Sequence, residues 1–253
     1  MTARFTGKVV LVTGAAGVLG RTTAQAFAAE GATVVVADLD ENGVNETVKL
    51  IETDGGTASG VVVDVTDSAS VKAMVDHAVS THGGLHVAFN NAGILGGGTP
   101  VGEHDEDVWN KVLAVNLTGV FLALKHETAH MAANGGGVIV NTASNLGAHW
   151  RLATMSAYST SKAGVSFLTR TAAREYIQQG VRINAISPGP IDTPMSYLPG
   201  ETREQRDARL APTVPLGRVA DPREVANAVL WLASEESSFV VGHDHVIDGG
   251  ATA

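Results

Sequence analysis

Short apolar runs rich in β-branched residues recur along this chain, and a stretch of helical spacing follows nearly every one. Residues 8–13 (KVVLVT), 33–38 (TVVVAD) and 60–64 (GVVVD) lack polar alternation. The first of them reads as a buried parallel strand. Residues 85–89, 137–141, 181–187 and 246–250 complete the strands. Between them 21–30, 41–53, 105–133 and 156–179 read as helices. Val71, Met74, Val75, Ala78 and Val79 mark a further amphipathic helix by their spacing. Alternation over 1–253 without an internal repeat or linker predicts one α/β domain. Its expected core is a doubly wound parallel sheet of about seven strands with helices on both faces.

Ligands of such a sheet bind beyond the carboxyl ends of its strands. Gly14, Asp38, Asp64, Asn90, Ser144 and Pro188 all fall at those ends, which marks that edge as the candidate site. Six of the eight prolines lie between Pro188 and Pro215. That bias predicts an irregular excursion over 190–215, a lid above the site. Asp221 and Glu224 form a capping box with Pro222 at the first helical position, and so open the last helix.

Composition excludes several classes. Hydrophobic residues at 44% and charged residues at 17% are those of a globular chain, and 253 residues are enough to bury a large core. A net charge of −9 argues against nucleic acid or an anionic membrane as partner. The absence of cysteine removes disulfides, thiol nucleophiles and thiolate metal sites. Residues 1–8 lack the apolar run of a signal peptide, and no stretch approaches about 18 unbroken apolar residues, so the expected compartment is the cytoplasm and no membrane span is expected.

Between the first strand and the first helix, 14–20 forms a turn with Gly14, Gly17 and Gly20. Glycines there let backbone N–H groups approach a pyrophosphate at the helix N-terminus. Asp38 ends the second strand, where a carboxylate accepts from an adenosine ribose and repels a 2′-phosphate. No Arg or Lys stands within 15–17 or just after Asp38 to receive such a phosphate, so the expected cofactor is NAD rather than NADP. Leu19 and Leu39 flank these groups, and Asp64 with the Val65 N–H is placed to hold the adenine.

The acid–base candidate is Tyr158, with Lys162 four residues on and Ser144 upstream at a strand end. Tyr and Lys at i and i+4 share one helix face. A free tyrosine has a pKa of about 10, too high for acid–base work near neutral pH. One ammonium at about 4 Å supplies about 4 kcal/mol at an effective dielectric near 20, enough to lower it by two to three units. Lys162 is therefore expected to lower the Tyr158 pKa. Ser144 is expected to hydrogen-bond the substrate oxygen.

These residues resemble the short-chain dehydrogenase/reductase family. Thr13-Gly-Ala-Ala-Gly-Val-Leu-Gly20, Asp64-Val65, Asn90-Asn-Ala-Gly93, Asn116, Ser144, Tyr158-x-x-x-Lys162 and Pro188-Gly189 stand in the family's order and spacing. The resemblance runs from Gly7 to Gly250. It implies a Rossmann-type domain, usually a homotetramer, that moves hydride between a nicotinamide and the carbon of an alcohol or ketone. It implies Tyr158 as acid and base, Lys162 on the nicotinamide ribose, and Asn116 holding a water that joins Lys162 to solvent. Asn90 would line the cofactor ribose, and Pro188, Ile191 and Thr193 the nicotinamide end. One position departs from the pattern: Val18 stands where the family's middle glycine does, with Gly17 one place earlier. Valine disfavours positive φ and adds bulk near the pyrophosphate, so local phosphate contacts are expected to change.

Two other readings have a sequence basis. A dinucleotide-binding sensor without turnover is compatible with the altered turn, since fold does not fix function. His126-Glu-Thr-Ala-His130 matches the H-E-x-x-H zinc motif, with Glu127 as base. It falls in the far half of the 105–133 helix with no evident third ligand, so no metal is expected. His243 and His245 read as strand residues. The segments 95–99, 145–155 and 195–213 are expected to line the substrate pocket. Trp150, Met155, Met195 and Tyr197 there favour an apolar, cyclic substrate, whereas Arg151 leaves a carboxylate open.

Overall fold

The computed structural model describes residues 3–253, so Met1 and Thr2 of the expected 1–253 domain and of the N-terminal 1–8 reading lie outside the described residues. Val9–Thr13 (β1) pairs in parallel with Thr33–Asp38 (β2) on one side and Val87–Asn90 (β4) on the other. Thr57–Val62 (β3) extends the sheet beyond β2. Gly137–Thr142 (β5), Val181–Pro188 (β6) and Asp244–Ile247 (β7) extend it beyond β4. The seven strands run in the order β3-β2-β1-β4-β5-β6-β7, all parallel. The order reverses between β1 and β4, and that crevice is where ligands of this architecture sit.

Alternate residues of each strand feed two cores. Val10, Val12, Val34 and Val36 meet Val18–Ala29 (α1), Glu41–Thr53 (α2) and Pro222–Ala233 (α8) on one face. Val9, Leu11, Val35 and Ala37 meet Ser68–His82 (α3), Gly119–Ala133 (α5) and Ser156–Tyr176 (α6) on the other. Val10, Leu11 and Val12 are wholly buried, which explains a strand with no polar alternation.

Several boundaries move from those read in the sequence. β3 runs Thr57–Val62 rather than 60–64, because its register is set by pairing with β2 alone, Thr33 opposite Thr57. β7 is Asp244–Ile247 rather than 246–250, because Gly249 and Gly250 turn the chain with φ of 63° and 89°. The expected 105–133 helix is Glu106–Leu113 (α4), a widened π turn Ala114–Thr118, and α5. Glu106–Ala133 is long and apolar enough by length and composition to cross a bilayer. Its place as a crossover between two parallel strands accounts for that character.

Asp67 caps α3 through Ala69 N and Ser70 N, leaving Asp64 for other contacts. Asp221 and Glu224 close the expected capping box on α8. Residues 190–215 leave the sheet as short 3-10 turns around Arg203–Leu210 (α7), tied back by a bridge from Ile191 to Ala220.

Candidate active site

Tyr158 lies in the first turn of α6, and Ser144 two residues beyond the end of β5. Ser144 is extended, its Oγ accepts from Leu146 N at 3.1 Å, and its side chain neighbours that of Tyr158. One turn along α6, the buried Lys162 lies with Nζ 5.9 Å from the centroid of the Tyr158 ring. Its Nζ donates to the Thr142 carbonyl at 2.6 Å.

The electrostatics correct one expectation. Burial pushes the Tyr158 phenol above its ordinary value, and the opposing influence is the bond with Ser144, not Lys162. Burial likewise pulls Lys162 down to about 8. The ammonium points at the Thr142 carbonyl rather than at the phenol, and desolvation of the buried phenol wins.

Asn116 sits in the π turn, fully buried. Its Oδ1 accepts from Ile94 N at 2.8 Å, while Nδ2 donates to Ile94 O at 2.9 Å and Ser161 Oγ at 3.1 Å. Ser161 Oγ donates in turn to Tyr158 O at 2.7 Å, so Asn116 ties the loop after β4 to the Tyr158 turn. A Cβ on Gly93 would meet Asn116 Oδ1 at 3.3 Å and Lys162 Nζ at 3.5 Å, so both polar groups converge on that glycine.

Asn90 points elsewhere. Its Nδ2 donates to Glu127 Oε2 at 2.9 Å and to Asn141 Oδ1 at 3.0 Å, inside the core. Its Nδ2 is thereby turned from the ribose contact that the resemblance implied, while its Oδ1 is buried without a partner. The neighbouring Asn91, given no role from sequence, braces the glycine turn: its Nδ2 donates to Thr13 O at 3.2 Å and Gly14 O at 3.3 Å. Thr13 Oγ1 returns the contact by accepting from Asn91 N and Ala92 N.

The glycine turn fits a pyrophosphate. Gly14 takes φ 66°, and a Cβ on Gly20 would stand 2.2 Å from Gly14 O, so helix and turn approach more closely than any side chain allows. Gly17 caps α1 without a side-chain acceptor, no acid lies in the first turn, and the first N–H groups remain for an anion. Val18 is the first residue of α1, in helical geometry rather than at positive φ. The expected strain is absent because Gly14, not position 18, carries the left-handed conformation. Leu19 faces the α1 core and Leu39 is exposed beyond β2.

Asp38 Oδ2 accepts from Ala16 N at 3.0 Å and Oδ1 from Asp40 N at 3.2 Å. This locks the end of β2 to the turn and leaves each oxygen a lone pair for a ribose hydroxyl. The Asp64 carboxylate accepts from Thr66 N and Oγ1, which holds its pKa below the usual range. Val65 packs against Gly119. Pro188 ends β6, and Ile191 and Thr193 follow it, with Thr193 N donating to Ile191 O.

The H-E-x-x-H residues do not converge. Glu127 is wholly buried against Asn90, whereas His126 Nε2 meets Ser68 Oγ on α3 at 3.0 Å. His243 and His245 lie at β7 with ring centroids 5.7 Å apart.

Sheet, switch-point crevice and convergent Ser, Tyr and Lys define a dinucleotide-dependent oxidoreductase of Rossmann type. A family model described as enoyl-(acyl carrier protein) reductase matches residues 14–252. The chain is 44% identical over 250 residues to cis-4-hydroxycyclohexanecarboxylate dehydrogenase of Sinomonas cyclohexanicum, covering 98% of each. It is 40% identical to cyclohexanol dehydrogenase of Acinetobacter sp. (strain SE19), covering 100% of this chain and 98% of that one. The crystal structure of levodione reductase superposes with a TM-score of 0.94 at 36% identity, covering 98% of this chain and 99% of that one. The chain belongs to the short-chain dehydrogenase/reductase family. The relatives are named as dehydrogenases and reductases of small molecules, and the family uses a nicotinamide cofactor.

Proposed function

We propose that this chain is an NAD(H)-dependent dehydrogenase of secondary alcohols and their ketones, with Tyr158 as acid and base. The arrangement that carries the reading is Tyr158 with Ser144 as its side-chain neighbour and Lys162 one turn along α6, at the carboxyl edge of the sheet. A bound nicotinamide supplies the acceptor or donor of hydride. Tyr158 Oη gives its proton to the substrate oxygen in reduction and takes it back in oxidation. Ser144 Oγ hydrogen-bonds the same oxygen and favours the phenolate. Lys162 holds the nicotinamide ribose, and Asn116, which meets Lys162 across Gly93, holds the water that joins this amine to solvent. Pro188, Ile191 and Thr193 border the nicotinamide end, and 190–215 acts as the lid.

NAD rather than NADP follows from Asp38, whose carboxylate stands at the turn with no cation beside it to accept a 2′-phosphate. Trp150, Met155, Met195 and Tyr197 favour a ring-bearing apolar substrate. The names of two relatives, acting on cyclohexanol and on a hydroxycyclohexane carboxylate, point the same way. The apolar groove of Leu117, Phe121, Ala163 and Phe167 along α5 and α6 supports self-association as a homotetramer, and the cytoplasm is the compartment we assign. A panel of cyclic and open-chain secondary alcohols with NAD, read by absorbance of the reduced nicotinamide, tests the reading. Turnover of a cyclic alcohol is expected; binding of NADH with no turnover across the panel would make the chain a sensor.

A further inference from the structure

Outside the residues assigned above, one buried carboxylate gathers three walls of the site. Asp244 opens β7, with a side chain only 1% exposed. Its Oδ1 accepts from Ser187 Oγ at 2.6 Å, and its Oδ2 accepts from Ser166 Oγ at 2.5 Å and meets His149 Nε2 at 3.0 Å. Ser187 immediately precedes Pro188 at the end of β6, and Ser166 lies one turn beyond Lys162 on α6. His149 closes the wide turn Asn145–His149 that follows Ser144. Thus the strand end beside the cofactor site, the helix of Tyr158 and the loop of Ser144 all meet at one carboxylate.

The loop has few other polar ties. Among the described residues, His149 is the one side chain of 145–155 that hydrogen-bonds the rest of the chain. The remaining ties are at its two ends, from Leu146 N to Ser144 Oγ at 3.1 Å, from Thr99 N to Thr154 O at 3.0 Å and from Ser159 N to Met155 O at 2.8 Å. Close packing requires the loop to stay seated: a Cβ on Gly147 would stand 3.0 Å from Ala163 N on α6. A buried carboxylate bonded to several donors makes strong, oriented hydrogen bonds, and loss of one donor leaves charge uncompensated in a low dielectric.

We propose that Asp244 and His149 form a buried clasp that seats the Ser144 turn on α6 and so sets the place of Ser144 beside Tyr158. Both are positioning residues, and the inference rests on reading Ser144 and Tyr158 as the reacting pair. Neither is assigned a contact with substrate or cofactor in that reading: within 145–155 that role falls to Trp150 and Met155, while His149 Nε2 meets Asp244. The imidazole Nε2 reaches Asp244 from a loop whose own backbone does not, which makes the histidine specific to the clasp.

Hydrogen exchange and kinetics on His149→Ala and His149→Gln test this in the full chain. Glutamine carries an amide nitrogen near the place of Nε2 and keeps the donor; alanine removes it. For His149→Ala, exchange of the 145–150 amides should rise about tenfold while the strands stay protected. Its kcat should fall about tenfold with KM for NAD within about twofold of the parent. His149→Gln should restore both. Should the alanine variant not fold, His149→Asn, whose amide falls short of Asp244, carries the same expectation. Unchanged loop exchange in His149→Ala, exchange rising equally throughout the sheet, or a glutamine variant as impaired as the alanine one would each overturn the clasp. If the parent protein turns over no alcohol, the proposed function fails, and the exchange rates alone decide the clasp.

Discussion

Lys162 Nζ donates to the main-chain carbonyl of Thr142 at 2.6 Å, so the amine is fixed by the end of β5 rather than by the tyrosine one turn away. The tyrosine instead has the Ser144 side chain as its neighbour. The end of β5 and the residues just beyond it therefore supply both neighbours: Thr142 for the amine and Ser144 for the phenol.

Burial of Lys162 has a measurable consequence for stability. Its pKa is pulled down to about 8, so between that value and the ordinary lysine range the folded chain binds fewer protons than the unfolded one. Stability then rises with pH across this window. The stability of the native chain relative to Lys162→Met should increase by about 3 kcal/mol between pH about 7 and about 10.5. Urea unfolding of both proteins at the two pH values checks the sign.

Glu127 runs the opposite way. Desolvation raises its carboxyl to about 7, against the bond from Asn90, and its Oε1 has no partner. The folded chain then holds a proton that the unfolded chain has lost, so stability is greatest below the unfolded carboxyl pKa and is lost as pH rises through 7. Glu127→Gln keeps the shape and removes the titration. Relative to it, the native chain should lose about 3 kcal/mol between pH about 4 and about 8.

Asp38→Ala should relax cofactor choice. The substitution removes the charge that repels a 2′-phosphate, together with the acceptor of Ala16 N. The ratio of kcat/KM for NADP to that for NAD should rise by at least about tenfold, with some loss of NAD efficiency from the loosened turn. Equal use of both cofactors by the native chain would contradict the role given to Asp38.

The sheet was legible because each buried strand advertises itself as a β-branched run that ends on a glycine or polar residue. Ser144, Tyr158 and Lys162 could be picked out because a strand end and one helix turn mark them, whereas Asn116 came from the resemblance alone. What sequence spacing does not carry is the direction of a polar side chain within a tight interior. Asn90 turns inward to Glu127, and Lys162 reaches a carbonyl, because buried donors take the nearest acceptor. His149 and Asp244 are 95 residues apart, and nothing local announces their pairing. Val18 is the reverse case: the pattern foretold strain, yet Gly14 alone takes the left-handed conformation.

The most direct measurement is turnover by Tyr158→Phe, which removes the phenolic oxygen and little else. Since the phenol sits above its ordinary pKa, alcohol oxidation by the native chain should climb with pH as phenolate accumulates. In the variant, kcat with a cyclic alcohol and NAD should fall by about 10²–10⁴ and that alkaline rise should vanish, with NADH affinity unchanged. Oxidation by Tyr158→Phe within about twofold of the native rate, with the same pH profile, would contradict the account.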